Sequence, residues 1–164
     1  MADKLTRTIL AAYSGITIPM AAMGMPIAVY LPRFYSEGMG LSLVTVGTVF
    51  FIARIWDVVT DPIMGIMIDK FDSRWGRRKH WIALSIPILL LSVWMVFMPD
   101  PVDVSGFYLM FWLILLYLGY TMLAISHQSW GVELSKSYDD RSRLFGWREI
   151  FVIGGMAIVL AIPA

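Results

Sequence analysis

A charged stripe interrupts the second apolar stretch of the sequence. Arg54, Asp57, Asp61 and Gly65 recur every three or four residues, so they share one face of a helix. At a rise of about 1.5 Å per residue, the three charges fall near the middle of a bilayer. Each charge there costs at least about 2.5–3.5 kcal/mol on insertion scales. The stripe must therefore face the protein interior or a wet cavity.

The chemistry that this stripe indicates is the binding of a cation or a proton. One arginine neutralises one of the two aspartates, and the cluster keeps a negative charge. Carboxylate, hydroxyl and carbonyl oxygens are the ligands that hard cations prefer. Thr60 adds a hydroxyl, and Pro62 frees a backbone carbonyl. The alternative is a salt-bridge cluster that fixes helix packing, but ionisable groups inside a membrane are functional by default.

The composition excludes most other classes of protein. Of 164 residues, 59% are hydrophobic, 15% are charged and none is cysteine. Soluble domains are about 45–50% apolar and about 25% charged, so an ordinary soluble domain is excluded, as is a disordered chain. A disulfide framework needs cysteine, and a net charge of +1 argues against binding to nucleic acid. No enzyme is expected, because the sequence has no Gly-x-Ser-x-Gly or His-Glu-x-x-His motif.

The apolar stretches predict an all-α membrane protein with five spans joined by short links. The first span contains Pro19 and Pro26, so we expect its helix to be bent or locally broken. The predicted spans are residues 9–31, 44–68, 81–98, 107–130 and 145–164.

Basic residues concentrate on one side of these spans. They precede span one, fill the link between spans two and three, and lie between spans four and five. Cytoplasmic loops carry an excess of lysine and arginine. The sequence therefore predicts a multi-pass protein of the cytoplasmic (inner) membrane with its N-terminus in the cytoplasm.

The charged stripe belongs to a longer motif. Arg54-x-x-Asp57-x-x-x-Asp61-Pro62-x-x-Gly65 is followed by Asp69 and by Ser73-Arg74-Trp75-Gly76-Arg77, and Asp140-Arg141-Ser142-Arg143-Leu144 follows span four. These motifs closely resemble those of the melibiose-permease-like glycoside–pentoside–hexuronide:cation symporters of the major facilitator superfamily. The resemblance implies a major-facilitator-type helical bundle with twelve spans in two halves. Residues 1–164 would then be a fragment, with five spans of the six-helix N-terminal half, whose partner is the C-terminal half of the same transporter.

The resemblance also implies a cation site. It would consist of Asp57, Asp61, Thr60 and Thr121, with Arg54 as the charge partner. The coupling ion would be Na⁺ or H⁺, with no other metal and no cofactor. Thr60 stands where the best-known sugar transporter of the family has asparagine, which leaves proton coupling open beside sodium.

A loop that could gate the inner face follows span two. Asp69 lies at the cytoplasmic end of that span, where it can pair with Arg74, Arg77 or a base of the loop after span four. The resemblance extends to this loop, whose gating residues would be Asp69, Arg74, Gly76 and Arg77. The simpler interpretation is a basic membrane anchor, and the charges can do both.

The substrate surface departs from the family. The melibiose transporters place acids on spans one and four at the positions of Ala21 and Ala124. The remaining candidates are polar or aromatic residues of spans four and five: Tyr120, His127, Gln128, Trp130 and Arg148. Two other roles stay open, an interhelical hydrogen-bond pair for His127 and Gln128 and an interfacial charge for Arg148.

The function predicted from these features is secondary active transport. A cation or proton would drive symport of a sugar-like or glycoside-like solute by alternating access. The predicted partners are that small-molecule solute, the coupling cation and the lipid bilayer. The alternatives are a transporter of a lysolipid-like or other organic solute with the same fold, and a membrane sensor that does not transport.

Overall fold

The computed structural model describes residues 5–71, 73–74, 76–135 and 137–161, and every regular element in these ranges is helical. This confirms the all-α prediction. Trp75 of the loop motif and the last three residues of the predicted fifth span lie outside the described residues. The elements are α1 (Arg7–Gly15), α2 (Thr17–Met25), a π-helical segment (Pro26–Tyr30), α3 (Leu31–Arg33), a second π-helical segment (Phe34–Gly38), α4 (Leu43–Lys70), α5 (Lys79–Phe97), α6 (Gly106–Leu134) and α7 (Tyr138–Ala161).

Five helical stretches are long and apolar enough to cross a membrane. They are Arg7–Gly38, Leu43–Lys70, Lys79–Phe97, Gly106–Leu134 and Tyr138–Ala161. Each corresponds to one predicted span. Large apolar side chains are exposed along them, such as Val44, Phe51 and Val58 on α4. Water-soluble monomers rarely leave so much contiguous apolar surface uncovered, so this exposure fits a bilayer.

The first span is locally broken, as its prolines predict, but it is longer than predicted. Its helix is interrupted at Ile16, widens to π geometry from Pro26, and continues past Pro32 to Gly38. The helix thus continues past residue 31, where the predicted span ends. A wider turn relieves the clash between a proline ring and the preceding turn, so the chain can stay helical.

The fifth helix also begins earlier than predicted. The Ser137 hydroxyl donates to Asp140 Oδ2 at 2.8 Å, and the backbone N–H of Asp140 donates to Ser137 Oγ at 3.1 Å. The second of these bonds caps the helix start, because the Ser137 hydroxyl satisfies one backbone N–H group of the first turn. This cap starts α7 at Tyr138, within the polar stretch before the predicted fifth span.

The chain divides into two compact units, and residues 31–128 form the larger one. In this unit α4, α5 and α6 enclose a core of Met64, Ile68, Trp81 and Met122. A Cβ on Gly119 of α6 would lie 3.1 Å from side-chain atoms of Ile88 and Leu89, so the glycine permits close packing against α5. The hydroxyls of Tyr35 and Tyr108 donate to the carbonyls of Val96 and Met95, near the C-terminus of α5, where helix carbonyls lack partners.

Residues 1–30 and 129–164 form the second unit. Here α7 packs along α1 and α2. The helices approach closely at Gly155, where an added Cβ would lie 2.6 Å from the Ile18 carbonyl oxygen and 3.2 Å from Ala21 Cβ. Leu10, Tyr13 and Leu144 are the buried centre of this unit.

Candidate cation site

Two helices of the larger unit position the charged stripe. The α4 helix begins after Ser42, whose hydroxyl accepts the backbone N–H of Thr45 at 3.1 Å, and it continues through Pro62 to Lys70. Because the helix is unbroken, Arg54, Asp57 and Asp61 stay on one face. The α6 helix supplies the residues that meet this face.

Thr121 of α6 contacts both aspartates. Its Oγ1 lies 3.1 Å from Asp57 Oδ1 and 2.9 Å from Asp61 Oδ1, and Thr121 is only 3% exposed. A hydroxyl carries one proton and cannot donate fully to two carboxylates at once. One of the two oxygen–oxygen contacts therefore becomes favourable only when a further proton or a cation joins the group.

Arg54 neutralises one carboxylate of the site. Its Nη1 lies 3.0 Å from Asp57 Oδ2, and its guanidinium carbon lies 5.5 Å from the ring centre of Tyr117. Asp61 has no basic partner among the residues that the structure describes. With both aspartates ionised, the cluster carries one net negative charge. The sequence interpretation placed Tyr117 on one stripe of this helix with Thr121, as part of a substrate surface, and did not pair it with Arg54.

Thr60 is buried, but its hydroxyl is hydrogen-bonded within its own helix. It donates to the carbonyl oxygen of Trp56 at 2.9 Å and contacts that of Asp57 at 3.2 Å. This back-bonding is common for threonine inside a helix. Within the described part of the chain its hydroxyl makes no bond to either carboxylate, so a ligand role for Thr60 stays a prediction.

Asp69 pairs with arginines of the loop between α4 and α5. Its Oδ1 lies 2.6 Å from Arg78 Nη1 and 3.9 Å from Arg77 Nη2, and Arg77 also donates to the Asp69 carbonyl oxygen at 2.9 Å. A turn at Gly76, whose φ is +102°, brings the arginines back toward α4. Arg74 is exposed and makes no ion pair within the described ranges. The sequence interpretation had considered Arg77 but not Arg78.

Three of the substrate candidates belong to the larger unit. Gln128 is exposed, Tyr120 is half-buried and His127 is almost completely buried. Ala124, on the same helix, is partly exposed and offers no polar side chain.

The other two candidates belong to the smaller unit. The Trp130 ring centre lies 5.9 Å from that of Tyr13, within the apolar cluster around Leu144. Arg148 Nη1 lies 2.7 Å from Glu149 Oε1. The convergence of all five candidates on one solute stays a prediction.

The chain has five apolar helical spans, and the second span carries a charge cluster. This combination is typical of multi-pass membrane transporters. The chain belongs to the MFS/sugar transport protein family, whose model matches residues 12–164. This confirms the resemblance to major-facilitator symporters. It also confirms that the protein is a transporter-family member rather than an enzyme.

Several relatives of the chain are named as symporters or sugar transporters. The chain is 30% identical to the inner membrane symporter YicJ of Escherichia coli over 84% of its length, which is 31% of that protein. It is 43% identical to the isoprimeverose transporter of Lactiplantibacillus pentosus over 41% of the chain and 14% of the relative. It is 25% identical to the sodium-dependent lysophosphatidylcholine symporter 1 of Gallus gallus over 88% of the chain and 28% of the relative. The chain thus spans about a third of the length of the curated relatives it matches.

Proposed function

We propose that the protein is a secondary active transporter in which Asp57, Asp61 and Thr121 bind the coupling cation. The observation that carries this proposal is the single hydroxyl of Thr121 between two carboxylates. Secondary transporters bind their coupling ions near the middle of the membrane, and α4 carries the aspartates in its interior. A bound cation would neutralise the cluster and so lower the free-energy cost of carrying its charge through an occluded state of the transporter.

The proposed coupling ion is Na⁺ or H⁺. Both are supported by the same feature, a net negative charge surrounded by hard oxygen ligands. A proton would complete the second contact of Thr121 directly, because a protonated carboxyl donates to the hydroxyl oxygen. Sodium would bind the three oxygens together, and Thr60 could add a fourth through its free lone pairs.

The proposed solute is a sugar or a glycoside. This is supported by the names of the relatives, which include an isoprimeverose transporter, and by the family description. Ala21 and Ala124 offer no hydrogen bond, so the solute would be held by Tyr120, Gln128 and neighbouring polar residues rather than by acids. A second candidate is a lysolipid-like solute, which the apolar character of both positions and the name of the chicken relative favour.

The proposal places the protein in the cytoplasmic membrane with its N-terminus inside. The loop that carries Arg74, Arg77 and Arg78 would then face the cytoplasm, where the Asp69 ion pairs could open and close with the inner face. Alternating access would require the two halves of the complete transporter to rock about the bound solute and cation.

The test is uptake into proteoliposomes made with protein from the complete reading frame. Labelled isoprimeverose, melibiose and lysophosphatidylcholine are offered separately under an imposed Na⁺ gradient or pH gradient. We expect one of them to accumulate only under a cation gradient. Asp57→Asn and Asp61→Asn should abolish accumulation but spare some exchange across the membrane.

Glu37→Gln provides the control, because Glu37 is an exposed acid that pairs only with Arg33 in the described part of the chain. It should accumulate solute like the wild type. Undiminished accumulation in both aspartate variants would show that the ion is coupled elsewhere. Accumulation that needs no cation gradient would contradict symport itself.

A further inference from the structure

The aromatic ring of Tyr117 lies against a charge of the proposed cation site. The Arg54 guanidinium carbon is 5.5 Å from the ring centre, within the distance at which a cation is attracted to an aromatic face. On its other side the same guanidinium contacts Asp57 Oδ2 at 3.0 Å. Arg54 is thus held between a carboxylate of its own helix and a ring of α6.

The ring contact matters because the described chain leaves much of the Arg54 side chain uncovered. Arg54 and Asp57 are three residues apart on one helix, and the Arg54 side chain is 68% exposed. Ordering this long side chain costs conformational entropy, which offsets part of its attraction to Asp57. A second contact on the other side of the guanidinium therefore favours the conformation that stays at Asp57.

One face of α6 contacts both the positive and the negative side chains of the site. Tyr117 and Thr121 are one turn apart, and Tyr117 contacts Arg54 whereas Thr121 contacts Asp57 and Asp61. Asp57 consequently presents Oδ2 to the arginine and Oδ1 to the threonine. Oδ1 of Asp57 thus faces the proposed cation, whereas Oδ2 faces the positive charge of Arg54.

We propose that Tyr117 is a positioning residue that holds Arg54 at Asp57 and thereby weakens the binding of the coupling cation. This inference rests on the proposed function of the site. A guanidinium held at Asp57 leaves one net negative charge for the cation, whereas a guanidinium turned away from Asp57 leaves two. Like charges repel over such short distances, so the held arginine opposes a second cation. A transporter needs a limited affinity for its coupling ion, because the ion must leave the site as well as bind to it.

The experiment compares cation affinities of Tyr117 variants, using purified protein from the complete reading frame. Na⁺ binding is measured by calorimetric titration, and H⁺ binding by proton uptake in weakly buffered solution. Tyr117→Leu removes the aromatic face and should lower the half-saturating cation concentration about twofold to fivefold, as expected for an exposed cation–π contact. Tyr117→Phe keeps the face and should bind like the wild type. Tyr117→Met is a second variant without a ring, for use if the leucine variant does not fold.

A double-variant cycle tests whether the effect acts through Arg54. In an Arg54→Gln background, replacing Tyr117 by leucine or methionine should not change the affinity further. The inference is overturned if the ringless variants bind the cation with wild-type or weaker affinity. It is also overturned if Tyr117→Phe matches Tyr117→Leu, or if the increase persists without Arg54.

Asp61→Asn separates this inference from the proposed function. If the wild type binds the cation and Asp61→Asn does not, the site is established and an unchanged Tyr117→Leu overturns only the role of Tyr117. If Asp61→Asn binds as the wild type does, or the wild type binds neither ion, both proposals are wrong.

Discussion

The hydroxyl oxygen of Thr121 lies 2.9 Å from Oδ1 of Asp61, and this contact joins residues sixty positions apart in the chain. It fixes α6 against α4 at the level of the charged stripe. Because the same hydroxyl also lies 3.1 Å from Asp57 Oδ1, both carboxylates are held toward one point.

Removing the Thr121 hydroxyl should weaken the proposed cation site. Thr121→Val keeps the shape of the side chain but loses the contacts to both aspartates. A hydrogen bond to a charged group contributes about 1.5–3 kcal/mol, so we expect cation affinity to fall about tenfold or more. Thr121→Ser retains the hydroxyl and should stay within a few-fold of the wild type. Calorimetric titration with Na⁺ and proton-uptake measurements check this, and equal affinity in the valine and serine variants would contradict it.

The loop between α4 and α5 should face the cytoplasm. In a cysteine-free background, Ser73→Cys should resist an impermeant thiol reagent applied outside intact cells and react in inverted vesicles. Val102, which is 90% exposed between α5 and α6, is the matched position on the opposite side. Val102→Cys should show the reverse pattern. Labelling of Ser73→Cys from outside would overturn the proposed orientation.

Asp69 should stabilise the fold through Arg78. Asp69 lies in the last turn of α4 and Arg78 immediately precedes α5, so each charge is at the unfavourable end of a helix dipole and the pair offsets both. The Arg78 side chain is only 10% exposed, and losing its contact with the Asp69 carboxylate should cost about 1–3 kcal/mol.

Thermal unfolding in detergent measures this loss. Asp69→Asn should lower the melting temperature clearly more than Arg74→Gln, because Arg74 is exposed and makes no ion pair in the described ranges. Equal effects of the two substitutions would show that the Asp69–Arg78 pair contributes nothing to stability.

Adjacent glycines of α7 should respond in opposite directions to alanine. At Gly155 an added Cβ would meet the Ile18 carbonyl oxygen at 2.6 Å, whereas at Gly154 nothing lies within 4 Å. Gly155→Ala should cost about 1–3 kcal/mol by overpacking, and Gly154→Ala should stabilise the helix by about 0.5–1 kcal/mol. Thermal unfolding of the two variants in the same detergent checks this. A Gly155→Ala variant as stable as Gly154→Ala would contradict the close contact between α2 and α7.

The local part of the site was predictable from the sequence, and the long-range part was not. The stripe of Arg54, Asp57 and Asp61 follows from helical periodicity, which depends only on spacing along one helix. The role of Thr121 came from the family resemblance, because no local pattern indicates which residue of α6 meets α4. The contacts of Tyr117 with Arg54 and of Arg78 with Asp69 were missed for the same reason, since these partners are distant in sequence or lie across a turn.

The ends of the helices were less predictable than their existence. Hydropathy identified all five spans because about twenty apolar residues give a strong signal. The first span was predicted to end at residue 31, but π-helical turns on both sides of Pro32 keep the chain helical to Gly38. The polar residues before Leu144 also concealed a helix start, although Ser137 and Asp140 have the spacing of a capping box.

The central claim is that the aspartates of α4 bind one coupling cation, and the most direct test counts bound cations. Protein from the complete reading frame is titrated with Na⁺ in a calorimeter, and its proton uptake is measured separately. We predict one bound cation per molecule in the wild type and in Glu37→Gln, and none in Asp61→Asn under the same conditions. One bound cation per molecule in Asp61→Asn, with wild-type affinity, would contradict the account.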